Sequence, residues 1–248
     1  MSAVAPAQSY LKPTAPVMEP VAPGVWVMRG GMPVKAMNVY LIEDGEGVTL
    51  FDAGIEDMTE FIADVGERMG GINRVVLGHG HPDHRGAAPG LGAPVHCHPD
   101  EVADVEGDGG AHYFDYAKLE YVFARFAMPK FIDRWDGGPV KVAGTVSEGD
   151  DVAGFRVVHL PGHAPGLIGL WRESDRLALV SDALYTLDIQ TTRFGGARVA
   201  HEAFNWSTEG ARESMVKLAD LEPAVVWAGH AHPVSGDVAG QLREAARR

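Results

Sequence analysis

Short apolar runs, bounded by glycine, proline and acidic residues, recur along this chain. They predict β-strands over residues 25–28, 37–42, 48–51, 74–77, 94–96, 140–145, 155–159, 167–171, 177–180 and 224–227. Met58, Phe61, Ile62, Val65 and Met69 fall at helical spacing and predict a helix over 56–69; residues 99–105, 208–220 and 237–247 also read as helices. The segment 107–139 is unlike its surroundings. Tyr116, Leu119, Phe123 and Phe126 fall at helix spacing there, with Tyr113, Phe114, Tyr121, Phe131 and Trp135 nearby, so it reads as an aromatic, lid-like insertion. Residues 1–23 hold five prolines and no periodicity and read as an extended arm ahead of one domain over 24–248. Strands, helix, strand, helices, strands, helix, strand, helix is an order that fits an α/β fold of four layers, αββα, in which two mixed sheets pack face to face between helices.

Composition narrows the function classes. The formal net charge is −13 and no basic stripe is present, which argues against a nucleic-acid partner and favours a small-molecule substrate. No apolar run approaches the length of a membrane span. A single cysteine excludes an internal disulfide, and the opening residues lack the basic-then-apolar pattern of a signal peptide, so the cytoplasm is the expected location.

The chemistry concentrates in His79-Gly80-His81-Pro82-Asp83-His84, at the end of an apolar strand. Imidazole nitrogen and carboxylate oxygen suit zinc, iron and manganese. Alternate residues of an extended segment point the same way, so His79 and His81 can share one ion. The chain turns at Pro82, which lets Asp83 and His84 reach a second ion. Three further candidates follow apolar strands: His163 in Gly162-His163-Ala164, Asp182 in Ser181-Asp182-Ala183, and His230 in Gly229-His230-Ala231. Any one of these would ordinarily be structural; together, and in this order, they point to a metal centre.

At these residues, from about Val25 to Val234, the sequence resembles the metallo-β-lactamase-fold hydrolases. The resemblance implies two divalent ions, zinc first with iron or manganese as alternatives. His79, His81 and His163 would hold the first, Asp83, His84 and His230 the second, and Asp182 would bridge them. Asp52 in Phe51-Asp52-Ala53-Gly54 matches an early strand-end aspartate that orients a ligand from behind. The implied reaction is attack of a metal-held hydroxide on an ester-like carbonyl, with Asp83, Asp182 and Tyr185 as the catalytic side chains. Asp182-Ala183-Leu184-Tyr185 resembles the Asp-x-x-Tyr string of the N-acyl homoserine lactonases, in which the tyrosine assists the lactone; a tyrosine packed beneath the site is the other reading of Tyr185. Only eighteen residues follow His230, too few for the C-terminal extension of glyoxalase II.

The aromatics of 107–139, with Phe194, Phe204 and Trp206, either wall an apolar pocket suited to an acyl chain or serve as core or as the contact of a homodimer. His112, His201, His232 and Arg193 are candidates for substrate contact, whereas His159 reads as a structural residue on its strand. His96 and His98, flanking Cys97, are a weak candidate for a further metal site. The expected function is lactone or ester hydrolysis at a dinuclear site. Its alternatives are thioester hydrolysis of the glyoxalase II type, a mono-iron oxidoreductase such as a persulfide dioxygenase, and an idle binding module, against which the complete ligand set argues.

Overall fold

The computed structural model describes residues 16–31 and 35–248. The first sheet has seven strands in the order β1 (Val17–Ala22), β2 (Val25–Gly30), β3 (Met37–Asp44), β4 (Gly47–Phe51), β5 (Ile72–Val76), β6 (Val95–Cys97) and β7 (Val142–Thr145). Its first three pairings are antiparallel and its last three parallel. The second sheet is built from β8 (Asp151–Val152), β9 (Phe155–His159), β10 (Ile168–Arg172), β11 (Leu177–Leu179), β14 (Val225–Trp227) and β15 (Val234–Ser235), with β11 and β14 parallel. Between them in sequence, β12 (Tyr185–Leu187) and β13 (Phe194–Arg198) form a separate ribbon.

The alternation of side chains along each strand produces the layers. In β2 and β3, Val25, Val27, Tyr40 and Ile42 face inward, against Phe155, Val157, Ile168, Leu170, Leu177 and Leu179 of the second sheet. Met28, Val39 and Leu41 face outward and pack with Met58, Ile62 and Val65 of α1 (Thr59–Arg68) and the turn before it. On the far side, Val158, Ala178, Val180 and Val226 pack under α6 (Thr208–Asp220) and α7 (Val238–Arg247), through Met215, Leu218, Val238 and Leu242. The result is the expected α/β arrangement of two mixed sheets flanked by helices.

The proline-rich opening divides. Residues 1–15 of the expected arm lie outside the described residues, while Val17–Ala22 forms an edge strand on β2, where Pro20 is tolerated because an edge need not donate on both sides. The aromatic segment also differs from its spacing. Short 3₁₀ turns at Ala111–Tyr113 and Tyr116–Lys118 precede a helix, numbered α5, over Val122–Trp135. Leu119 is extended and buried with Ala203, Phe204 and Ala124, so the run from Tyr116 to Phe126 is not one helical face.

Two one-turn helices, α2 (Pro82–Arg85) and α3 (Ala88–Leu91), follow β5, and α4 (Val102–Val105) follows β6. Pro82 sits at the start of α2, the position where its missing N–H costs nothing. Arg85, at the end of that turn, is fully buried. Its Nη1 donates to the carbonyls of Asp104, Val105 and Gly107, and its Nε and Nη2 form a fork with Asp136, the residue that ends α5. One guanidinium therefore ties the metal-loop turn to the base of the aromatic helix. Arg85→Leu leaves those acceptors without a donor, and a loss of about 3–5 kcal/mol is expected. Denaturant unfolding of the metal-free protein reads this directly, and a loss below about 1 kcal/mol would show that the fork is dispensable.

Candidate metal centre

All seven expected ligands converge on one edge of the two sheets. Ligand atoms of His79, His81 and His163 lie within 4.8 Å of one another, and so do those of Asp83, His84, Asp182 and His230. Asp182 belongs to the second group and also reaches the first. Its Oδ2 lies 3.5 Å from His163 Nε2, 3.3 Å from His84 Nε2 and 3.2 Å from His230 Nε2.

Hydrogen bonds behind the rings decide which nitrogen each presents. Asp52, buried at the end of β4 with φ 61°, accepts from Gly78 N at 2.7 Å through Oδ1; its Oδ2 accepts from Ser181 Oγ at 2.7 Å and His84 Nδ1 at 2.9 Å. The one hydroxyl hydrogen of Ser181 is donated to Asp52, so Ser181 Oγ accepts from His79 Nδ1 at 3.0 Å. His163 Nδ1 donates to Asn205 Oδ1 at 2.9 Å, the amide being fixed by its own donation to Ala200 O and Thr208 Oγ1. Each of these rings therefore turns Nε2 into the site. His81 is the reverse: Nε2 pairs with the Tyr113 hydroxyl at 2.6 Å and Nδ1 faces His163 Nε2 at 3.0 Å. That is close to the ~3.3 Å between two nitrogens of a tetrahedral ion at about 2.0–2.1 Å from each.

The donor set fits a pair of ions on a second count. His79 Nε2, His84 Nε2 and Asp182 Oδ1 are buried and have no hydrogen-bond partner. Buried polar atoms without partners are costly, and cations held by the two groups would satisfy these three. Glycines make the room. A Cβ at Gly229 would meet Asp182 Oδ1 and His84, and one at Gly78 would meet Ser181. His230 is placed by β3: Asn38 Nδ2 donates to Ala228 O and Ala231 O, and its backbone N–H to Gly229 O.

Electrostatics separates the two groups. Burial, aided by the neighbouring imidazoles, pushes His79 and His81 well below the usual histidine range, and burial lowers His163 despite Asp182. These rings are neutral and ready to ligate. In the other group burial is outweighed: Asp182 and Asp83 push His230 up to about 9, and Asp182, Asp52 and Asp83 raise His84. For Asp83 burial works upward, yet His84 and His230 hold its carboxyl at about 2. A cation must displace the ring protons of His84 and His230. Zinc binding at neutral pH is therefore expected to release protons, with affinity at this group rising by about tenfold per pH unit for each proton displaced; for His230 that rise ends near pH 9. Calorimetric titration in buffers of different ionisation enthalpy checks this; a heat that does not depend on the buffer would contradict it.

Above the clusters lies a cavity of about 330 Å³. Its floor is His81, Asp83, Tyr185 and His230, and its walls include Phe114, Met128, Phe131, Trp135 and Phe204. Tyr185 is buried with its ring 5.3 Å from that of His230, and burial followed by Asp182 raises its phenol well above the usual range. The expected aromatic wall is thus partly corrected. Phe194 and Trp206 do not line the cavity; both are exposed. His112, His201, His232 and Arg193 do not line it either. His112 lies by Asp108, His201 by Glu120 and His232 by Arg29. His98 gathers with Asp100 and His159, stacking on the latter, and not with His96, and Cys97 is buried, its thiol pushed up to about 12 by burial and two nearby glutamates. The hydrogen bonds of Ser181, Asn205 and Tyr113 to these rings were not expected: Tyr113 figured only among the aromatics of 107–139, Ser181 only as the neighbour of Asp182, and Asn205 not at all.

The sequence matches the family model described as the metallo-beta-lactamase superfamily over residues 33–230. It is 28% identical to the "Probable metallo-hydrolase YflN" of Bacillus subtilis, over 88% of this chain and 89% of that protein. It is 30% identical to the "Hydroxyacylglutathione hydrolase GloC" of Haemophilus influenzae, over 66% of this chain and 74% of that one. Among solved structures, TTHA1623 in a di-iron-bound form superposes with a TM-score of 0.60 at 25% identity, covering 88% of this chain and 96% of that one. Among the described residues, no helix is long and apolar enough to cross a membrane.

Proposed function

Because the chain belongs to the metallo-β-lactamase superfamily, we propose that it is a dinuclear metal-dependent hydrolase of lactones or esters bearing an apolar acyl group. The cavity carries this reading: its floor is made of the candidate ligands and its walls are aromatic and aliphatic. His79, His81 and His163 would hold one ion, Asp83, His84 and His230 the other, with Asp182 between them; a histidine-rich set favours zinc, and iron is the alternative that the di-iron relative supports. When bound, such a pair supplies a Lewis acid for the carbonyl and hydroxide at neutral pH. Asp83 is the carboxylate of the set that opens to the cavity, which places it to take up the proton released on attack and return it to the leaving oxygen. Tyr185 keeps its hydroxyl proton and can donate it to the carbonyl or ring oxygen. The aromatic wall holds the acyl chain and excludes water.

Thioester hydrolysis is the second reading, favoured by the relative named as a hydroxyacylglutathione hydrolase. Glutathione carries two carboxylates, and no lysine or arginine lines the cavity among the described residues, which favours the neutral acyl substrate. A panel of lactones, aryl esters and S-acylglutathiones tests the choice. With lactones or esters, kcat/KM is expected to rise by up to about fourfold per added methylene until the cavity is full, the equivalent of about 0.8 kcal/mol per buried CH₂. Protein carrying two metals that turns over none of them, or that prefers S-acylglutathiones, would overturn the proposal.

A further inference from the structure

The three histidines of the first group come from different sheets. His79 and His81 follow β5 of the first sheet, whereas His163 lies in the turn between β9 and β10 of the second. Their mutual spacing thus depends on how two loops, more than eighty residues apart in sequence, are joined. Glu101 sits between those loops. It is fully buried at the start of α4. One carboxylate oxygen accepts from the backbone N–H of Gly80 at 2.7 Å, and the other accepts from that of Gly166 at 2.7 Å. Gly80 is the residue between His79 and His81, and Gly166 closes the turn that carries His163. Both glycines are pressed against this segment. A Cβ at Gly166 would meet the Glu101 side chain and backbone at 2.9–3.0 Å, and one at Gly80 would meet Asp104 and Val105 at 3.1–3.2 Å.

Resting on the metal-centre reading above, we propose that Glu101 is a positioning residue: it staples the His79–His81 loop to the His163 turn and so sets the affinity of the three-histidine position without touching the ion. A carboxylate is the side chain suited to this task, because it offers an acceptor in two directions and no donor. The second group is held differently. Its His230 loop hangs on Asn38, and its His84 on Asp52. Loss of Glu101 should therefore act on one position and spare the other.

Glu101→Gln tests this, because the amide keeps the size but sets an NH₂ group against one of the two N–H donors. Asn38→Ala is the matched control, a loss of similar buried polar contacts beside the other position. Crystals of each protein are equilibrated against buffered zinc, and the anomalous peak at each position is measured at the zinc edge. For Glu101→Gln, affinity at the three-histidine position is expected to fall about 10–100-fold, with the other position changed by less than about threefold. Asn38→Ala is expected to show the opposite preference, which a general folding defect would not produce. Should the glutamine variant prove insoluble, Glu101→Asp retains the charge but is too short to span both amides, and the same selectivity is expected. Equal loss at both positions, or no loss, overturns the role of Glu101. Wild-type protein that takes zinc at neither position sinks the metal-centre reading itself, so the two failures are distinct.

Discussion

Asp182→Asn is expected to bring the metal content from about two per chain to below one and to lower hydrolysis on the order of 10³-fold or more. Asp182 is buried, and its Oδ2 is within 3.2–3.5 Å of three imidazole nitrogens drawn from both ligand groups. Its Oδ1 has no partner and fills the space that Gly229 leaves. His84 and His230 hold this carboxyl well below the usual range against the effect of burial, so it is ionised wherever the protein is folded near neutral pH. Asparagine keeps the shape but removes the charge that lets two dications approach each other, and sets an N–H donor where lone pairs already crowd. Metal content and rate should fall together. Two metals retained at full rate would remove the bridging role.

The second large effect is expected at Tyr185. Its ring packs at 5.3 Å from His230 and 5.9 Å from His163, and it lines the cavity over the clusters. A buried phenol near two carboxylates keeps its proton, which is the state that can donate to an oxygen gaining charge. Tyr185→Phe removes that one donor and little volume. A fall of about 10²–10³-fold in kcat is expected, with metal content unchanged and KM nearly so. Steady-state kinetics on the best ester or lactone, with metal analysis of the same sample, reads both quantities. A full rate would mean that Tyr185 only packs beneath the site.

The cluster of candidate ligands was legible because it is written at strand ends. Four of the seven side chains lie in one hexapeptide, and the others follow apolar runs that had to be strands of the same sheets. The groups that orient them were not legible. Ser181 reaches His79 across 102 positions, Asn205 reaches His163 across 42, and Tyr113 reaches His81 across 32. Such contacts exist only once the sheets have packed, and no local pattern announces them. The layers followed from the order of strands and helices along the chain, whereas β1 was masked by Pro20 and β13 by Gly195 and Gly196, residues that weaken a strand signal without forbidding an edge strand or a two-stranded ribbon. The aromatic segment misled for a related reason: Tyr116 and Leu119 have helical spacing to Phe123 and Phe126, but α5 begins only at Val122 and leaves Phe123 and Phe126 exposed.

Elemental analysis of the purified protein, paired with a zinc-edge map of its crystals, probes the centre most directly. The expected result is about two ions per chain, one among His79, His81 and His163 and one among Asp83, His84 and His230, with Asp182 touching both. A single ion in protein saturated with metal, or a map in which His163 or His230 stands away from any ion, would contradict it.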